Sequence, residues 1–143
     1  MMAAMRTNPA SQPVPTRASL GLLALLALAA CGAGPCEDEI FGELPSPDGK
    51  YVAALMTREC DEGSPITIDG KETVFAKAVL MRPADAEDFG DDPLADAIHI
   101  VDGDWPIAIR WINPSWFGIK SDNPPDKLIR WSPSYVGLVI VYE

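Results

Sequence analysis

The chain has 143 residues, with 11 Lys and Arg against 21 Asp and Glu, and therefore a net charge of −10. Residues 1–30 contain two arginines and no acidic residue, so that 113 residues with a net charge of −12 remain without them. An acidic domain repels phosphate backbones, which argues against nucleic acid as a partner. A length of 113 residues corresponds to one domain rather than two.

Residues 1–30 predict a lipoprotein signal peptide. The stretch from Met1 to Arg17 is polar and has two positive charges, whereas the 11 residues from Leu20 to Ala30 are apolar or glycine and uncharged. That run has the length of a secretory apolar region and is too short to span a bilayer as a helix. Leu28-Ala29-Ala30-Cys31 resembles the bacterial lipobox, in which the cysteine receives a diacylglycerol and becomes the first mature residue.

Lipidation of Cys31 determines the predicted location, which is the bacterial cell envelope. Each buried methylene of an acyl chain contributes about 0.8 kcal/mol, so that several chains anchor a domain stably to a membrane. The next residue is Gly32 rather than Asp, which by resemblance to Gram-negative sorting favours the outer membrane, facing the periplasm. The alternative is an ordinary secreted protein in which a cysteine happens to follow an Ala-Ala cleavage site.

Two cysteines remain after lipidation, Cys36 and Cys60, and the oxidising envelope predicts one disulfide between them. Ser46-Pro47-Asp48-Gly49 has favoured residues at three positions of a type I turn, about which the chain folds back. In one register Cys36 faces the residue before Cys60, and in the other register, or with one bulge, it faces Cys60 itself. A redox or metal pair is the alternative, without a Cys-x-x-Cys motif to favour it.

The mature chain begins with a predicted acidic tether over residues 31–39, followed by a single β domain over residues 40–143. Ile40–Leu44 predicts a short edge strand, because nearby prolines limit its pairing. Lys50–Arg58 predicts a strand in the middle of a sheet, since apolar residues occupy both of its faces.

The middle of the domain alternates strands with turns. Ile66–Ile68 and Thr73–Met81 flank an Asp-Gly turn and predict a hairpin. Residues 82–97 form the longest predicted loop, with six acidic side chains and two prolines. Carboxylate oxygens suit Ca²⁺, but the spacing is not that of an EF-hand, and we expect a solvated loop without a metal. Ile98–Val101 predicts a short strand in which His99 faces solvent.

The last third of the chain contains an internal repeat. Ile109–Ile119 resembles Ile129–Leu138, and each unit predicts a strand, a Pro-Ser turn and a second strand. Two hairpins in succession predict an antiparallel meander, which a very apolar, buried strand over Val136–Tyr142 completes. With no amphipathic helix in the pattern, the predicted fold is mostly β: a small antiparallel sandwich or curled sheet with one disulfide.

Four tryptophans are many for a domain of this size, and aromatic side chains both fill small cores and dominate binding sites. Trp111 and Trp131 lie in predicted strands, where core packing is expected. Trp116 follows a Pro-Ser turn and is the candidate for an exposed binding anchor.

Asp102 and Asp104 flank Gly103, and paired carboxylates can hydrolyse glycosides at the right separation. Two acids around a glycine before a strand are more typical of a turn, which is the interpretation adopted. His99 has no nucleophile motif beside it. The sequence therefore predicts no catalytic residue, no metal site and no cofactor.

Several of these features together resemble a group of small bacterial envelope lipoproteins of uncharacterised function. The resemblance consists of Cys36, the run from Ser46 to Ala53, Arg58-Glu59-Cys60, and a tryptophan, turn and strand near the end. The members share a Ser-Pro-Asp-Gly-Lys type of turn that leads into a strand ending in cysteine. The resemblance implies a β fold and an envelope location, and it implies no activity.

The leading hypothesis is a lipid-anchored, non-enzymatic envelope protein that serves as a structural or binding module. A second hypothesis is an inhibitor or immunity-type protein that captures a protein or glycan partner, since an acidic surface suits a basic envelope enzyme such as a lysozyme-like hydrolase. A hydrolase is the third. The sequence leaves the oligomeric state open.

Overall fold

The computed structural model describes residues 35–143, so the predicted signal peptide and Cys31 lie outside the described residues. Within that range the chain is mostly β-strand, and no helix there is long and apolar enough to cross a membrane. In chain order the strands are β1 (Cys36–Pro45), β2 (Tyr51–Cys60), β3 (Ile66–Ile68), β4 (Lys71–Thr73), β5 (Phe75–Pro83), β6 (His99–Asp102), β7 (Ile107–Asn113), β8 (Trp116–Ser121), β9 (Leu128–Trp131), β10 (Ser134–Tyr135) and β11 (Leu138–Tyr142).

These strands form a sandwich of two sheets and a separate hairpin. The five-stranded sheet has the order β1-β2-β5-β6-β9, and the four-stranded sheet has the order β10-β11-β8-β7. Strands β3 and β4 pair only with each other. The predicted mostly-β fold with antiparallel pairing is therefore confirmed, except for one pair: β11 lies parallel to β8.

Strand β5 shows how the core is divided, because its side chains alternate between two apolar layers. Val79 and Met81 face the four-stranded sheet, where they meet Phe117 and Ile119. Ala76, Ala78 and Leu80 point to the opposite side, towards the β3–β4 hairpin and the acidic loop of residues 84–97. The central strands β2, β5 and β6 are therefore covered on both faces, as their largely apolar sequences require, whereas the edge strand β1 is exposed.

The predicted disulfide between Cys36 and Cys60 is confirmed. The two residues lie directly opposite each other in the β1–β2 pair. The one-residue adjustment that this pairing needs is a β-bulge between Phe41 and Leu44, which shifts the register on the way from the turn to the cysteines. Residues 36–39, predicted as part of the tether, belong to strand β1.

The hairpin predicted over residues 66–81 is confirmed only in its first half. Strand β4 ends at Thr73, and β5 pairs with β2 and β6 rather than with β3. The Thr73 hydroxyl donates to Asp102 over 2.6 Å and accepts from the backbone N–H of Phe75 over 3.1 Å. These bonds end the hairpin and direct the chain into the five-stranded sheet.

The predicted meander of the last third is wrong in its second unit. Strands β7 and β8 form the expected hairpin, but β9 pairs with β6 in the five-stranded sheet, while β10 and β11 join the four-stranded sheet. The crossing lies between two residues: Ser132 donates its N–H to Ile98 of one sheet, and Pro133 accepts from Ile140 of the other. Each sheet has a free edge there, and the chain fills both.

Candidate binding cleft

The most unusual polar side chain in the domain is His99, at the start of β6. In the sheet it lies beside Val79 on one strand and Trp131 on the other, and it is on the face that packs against the four-stranded sheet. Only 2% of the residue is exposed, so the predicted solvent-facing position is wrong. Because β6 is buried on both faces, the alternation of its residues did not identify the side of His99.

The imidazole of His99 is buried without a hydrogen-bond partner. Neither Nδ1 nor Nε2 finds a donor or acceptor in residues 35–143. Burial lowers the pKa of His99 to about 4, so that the ring is uncharged at neutral pH. Unpartnered buried polar atoms are rare and costly in folded proteins, and each one calls for an explanation.

Tyr142, the last residue of β11, packs against His99 with 5.6 Å between the ring centroids. Its hydroxyl accepts from the Ser132 N–H over 3.1 Å and lies 3.0 Å from the Ser132 carbonyl oxygen, to which it donates. Burial raises the pKa of Tyr142. These contacts hold the tyrosine across the gap between the two sheets.

Trp131, the last residue of β9, stands at a right angle to Tyr142, with the ring centroids 5.7 Å apart and the planes at 89°. The predicted core position of Trp131 is wrong: β9 is a sheet edge, and the residue is 57% exposed. The other tryptophan predicted in the core, Trp111, does pack there, against Phe117.

Together these three aromatic residues form one end of an open cleft with a volume of about 320 Å³. The remaining lining residues are Ile119, Ser121, Asn123, Leu128 and Glu143. We name this site the aromatic cleft. Its walls combine aromatic and aliphatic surface with a few convergent polar groups, which is the usual composition of small-molecule sites.

The polar groups of the aromatic cleft are neutral or paired. The Ser121 hydroxyl donates to the Asn123 side-chain oxygen over 2.6 Å, and the Asn123 amide donates to the Pro124 carbonyl over 3.0 Å. Glu143 is the one lining side chain that is charged at neutral pH, and Arg110 donates from Nε and Nη2 to its two carboxylate oxygens and lowers its pKa.

Trp116, the anchor predicted from the sequence, lies elsewhere. It projects from the outer face of the four-stranded sheet, beside Val139, and 47% of it is exposed. The predicted exposure is therefore confirmed, and the role as a binding anchor stays a prediction. Ile112 is also exposed on that face, and it lies next to the side chain of Arg110.

The carboxylates weighed for catalysis serve the turn instead. Asp102 accepts from Thr73 and lies 3.3 Å from Lys127, while Asp104 lies 3.0 Å from Lys77. Gly103 between them has a φ of 105°, a conformation that favours glycine. The described residues hold no group of three or more His, Cys, Asp or Glu side chains that could bind a metal ion.

Sequence reasoning missed Trp131, Tyr142 and His99 as members of one site, because they come from three strands of two sheets. The repeat that contains Trp131 was the only signal that pointed to it. Comparison with protein-family models, curated proteins and solved structures found no match.

Proposed function

We propose that this protein is a lipid-anchored binding module of the bacterial cell envelope and that its ligand occupies the aromatic cleft. The observation that supports this most is the corner of Trp131 and Tyr142 beside the buried, unpartnered His99. Two perpendicular rings give a rigid contact surface at low cost in conformational entropy. The lipid on Cys31, predicted from the lipobox, would hold this domain at a membrane.

The chemistry of the cleft favours binding over catalysis. A histidine that acts as a general base is oriented by a partner, usually a carboxylate or a backbone carbonyl. His99 has no such partner among the described residues, and its pKa of about 4 makes it a weak base. What the cleft offers is apolar contact and neutral hydrogen-bonding groups.

A fragment screen by ligand-observed NMR tests the binding module. We expect some fragments to bind the full chain and to lose binding in the Trp131→Ala variant. Trp116→Ala is the matched control, since that tryptophan is similarly exposed but lies on the outer face of the other sheet. A screen in which no fragment depends on Trp131 would show that the cleft is not a site.

Membrane fractionation tests the anchor separately. We expect the full chain in the membrane fraction, and the Cys31→Ser variant in the soluble fraction, because the variant cannot receive the lipid. The variant in which Cys36 and Cys60 are both serine is the control, since it removes two cysteines and the disulfide but leaves Cys31 in place. Continued membrane retention of Cys31→Ser would contradict the lipid anchor.

A second candidate function is inhibition of a basic envelope hydrolase, and the distribution of acidic residues favours it. Arg58 contacts both Asp38 of β1 and Asp92 of the acidic loop, so these two acidic segments are neighbours. The exposed carboxylates are Glu37, Asp38, Glu39 and Glu43 on β1, and Asp85, Glu87, Asp88, Asp91, Asp92 and Asp96 in the loop. A surface of one sign steers a partner of the opposite sign.

Inhibition of a basic lysozyme-type hydrolase tests this candidate. We expect the chain to slow the enzyme at low salt and less so as the ionic strength rises. The triple variant Asp85→Asn, Asp88→Asn, Asp91→Asn should relieve inhibition. The control makes the same change in charge outside the loop, at Asp104, Asp122 and Asp126. Equal effects of the two triple variants would mean that net charge alone is responsible.

A further inference from the structure

We infer that the ligand of the aromatic cleft is an uncharged saccharide, bound with one sugar ring against the corner formed by Trp131 and Tyr142. This inference depends on the proposed binding module and names the chemical class of its ligand.

The aromatic surfaces suit one side of a sugar ring. A pyranose presents C–H groups on its faces, and these pack against the negative face of an aromatic ring. Trp131 is more than half exposed, whereas the Tyr142 hydroxyl is held by Ser132, so the tryptophan offers an open face and the tyrosine a fixed wall. The two rings touch edge to face with their planes at 89°, and both line the open cleft, so a sugar ring in the cleft would meet the two aromatic surfaces together.

The polar groups suit the hydroxyl edge of the same ring. Each sugar hydroxyl can both donate and accept a hydrogen bond. Ser121 and Asn123 together also retain an unused donor and unused acceptor positions. Asn123 uses one amide N–H on Pro124 and accepts from Ser121, which leaves its second N–H and the oxygen lone pairs of Ser121 for a ligand. The imidazole of His99 lies behind Tyr142, and because both of its nitrogens are buried it supports the aromatic wall rather than offering a hydrogen bond to the ligand.

The charges of the cleft exclude other ligand classes. A phosphate or carboxylate ligand needs an available cation, but no Lys or Arg lines the cleft. A cationic ligand needs an available carboxylate, but Glu143 is bound by Arg110. A purely apolar ligand would cover the second amide N–H of Asn123 and the oxygen lone pairs of Ser121 without replacing their hydrogen bonds to water. The volume of about 320 Å³ is near the lower end for ligand pockets and suits one or two sugar rings.

Isothermal titration and tryptophan fluorescence test the assignment on the full chain carrying Cys31→Ser, without detergent. The uncharged probes are N-acetylglucosamine, its β-1,4-linked disaccharide and maltose. The contrasting probes are glucuronic acid, glucose 6-phosphate and 1-octanol. We expect an uncharged saccharide to bind, Trp131→Ala to raise its Kd about tenfold or more, and Trp131→Phe to restore part of the affinity.

Trp116→Ala is again the control, and it should leave the Kd unchanged. If only charged or purely apolar probes bind in a Trp131-dependent way, the saccharide assignment is wrong while the binding module stands. If saccharide binding depends on Trp116 instead, the site is the outer sheet face and the inference is overturned. If no probe and no NMR fragment depends on Trp131, both proposals fail. Circular dichroism of each variant verifies that the fold is intact.

Discussion

Some single residues destabilise this domain, and His99 is the clearest case. Its pKa falls from 6.5 in the unfolded chain to about 4 in the folded one, because burial disfavours the charged ring. Between these values the unfolded state binds more protons than the folded state. The titration of His99 therefore leaves the free energy of unfolding unchanged above pH 6.5. As the pH falls from 6.5 towards 4, it lowers the free energy of unfolding by about 3 kcal/mol in total.

His99→Leu removes this penalty. We expect the variant to unfold at a higher temperature than the parent at pH 7, since two unpartnered polar atoms disappear. We expect the difference to widen by up to about 3 kcal/mol at pH 4.5, because leucine does not bind a proton. Thermal unfolding of both proteins between pH 4.5 and 7.5 measures it, and parallel curves would contradict the depressed pKa.

Val136 is a second residue that destabilises the domain, in this case through its backbone conformation. It has a φ of 41°, is followed by Gly137 at 83°, and is 76% exposed in the turn between β10 and β11. A β-branched residue is strongly disfavoured at positive φ, where asparagine is tolerated. Val136→Asn should therefore raise the free energy of unfolding by about 1 kcal/mol.

Val139→Asn is the matched control for Val136→Asn, because Val139 is also an exposed valine but lies within a strand. There we expect a lower melting temperature, since asparagine is a poor strand residue. Denaturant unfolding of the two variants compares them, and an equal loss in both would contradict relief of backbone strain.

At the scale of elements, the disulfide fastens edge strand β1 to β2 across a separation of 24 residues. In the chain-entropy model a loop of about this length contributes roughly 3–4 kcal/mol. The variant in which Cys36 and Cys60 are both serine should lose a similar amount, which corresponds to a fall in Tm of roughly 10–20 °C. Calorimetry under oxidising conditions measures it, and the parent in a reducing agent should reproduce the loss.

Arg130 fastens the outer layer in a comparable way. Its guanidinium binds both carboxylate oxygens of Asp69 at 2.7 and 2.8 Å, and it also donates to the carbonyls of Leu94, Ala95 and Ala97 in the acidic loop. The bond from Arg130 lowers the pKa of Asp69. One side chain on β9 therefore joins the β3–β4 hairpin to the loop.

Arg130→Lys should break this arrangement, because a lysine cannot reproduce the planar set of donors. We expect the free energy of unfolding to fall by about 1–3 kcal/mol, with faster amide hydrogen exchange confined to residues 66–73 and 84–97. Arg110→Lys is the control, since Arg110 forms an exposed pair with Glu143 and should change little. Exchange that accelerates throughout the domain would contradict a local role.

The local features of the fold could be predicted from the sequence. The turn over Ser46–Gly49 is made by Ser46 itself, whose hydroxyl accepts from the N–H groups of Lys50 and Tyr51 at 3.0 Å. The position of that turn predicts, to within one residue, that Cys36 lies opposite Cys60. Neighbouring residues are enough to predict such features, because the hydrogen bonds that form them join residues close together in the sequence.

The partners of distant strands could not be predicted in this way. The second Pro-Ser unit has the same local pattern as the first, but its strands enter different sheets, because the free edges of β6 and β8 are available only in the assembled sandwich. The same limit applies to the aromatic cleft. His99 alternates with apolar residues on a strand buried on both sides, so the pattern does not decide which face it joins.

At the scale of the whole molecule, the crossing between Ser132 and Pro133 joins the two sheets through adjacent residues. The chain between β9 and β11 is short, so the position of β9 on β6 and that of β11 beside β8 constrain each other. Each sheet therefore contains a strand that the crossing connects directly to the other sheet. The domain should therefore unfold in a single cooperative step. A destabilising substitution in one sheet should lower the unfolding temperature of the other sheet by the same amount.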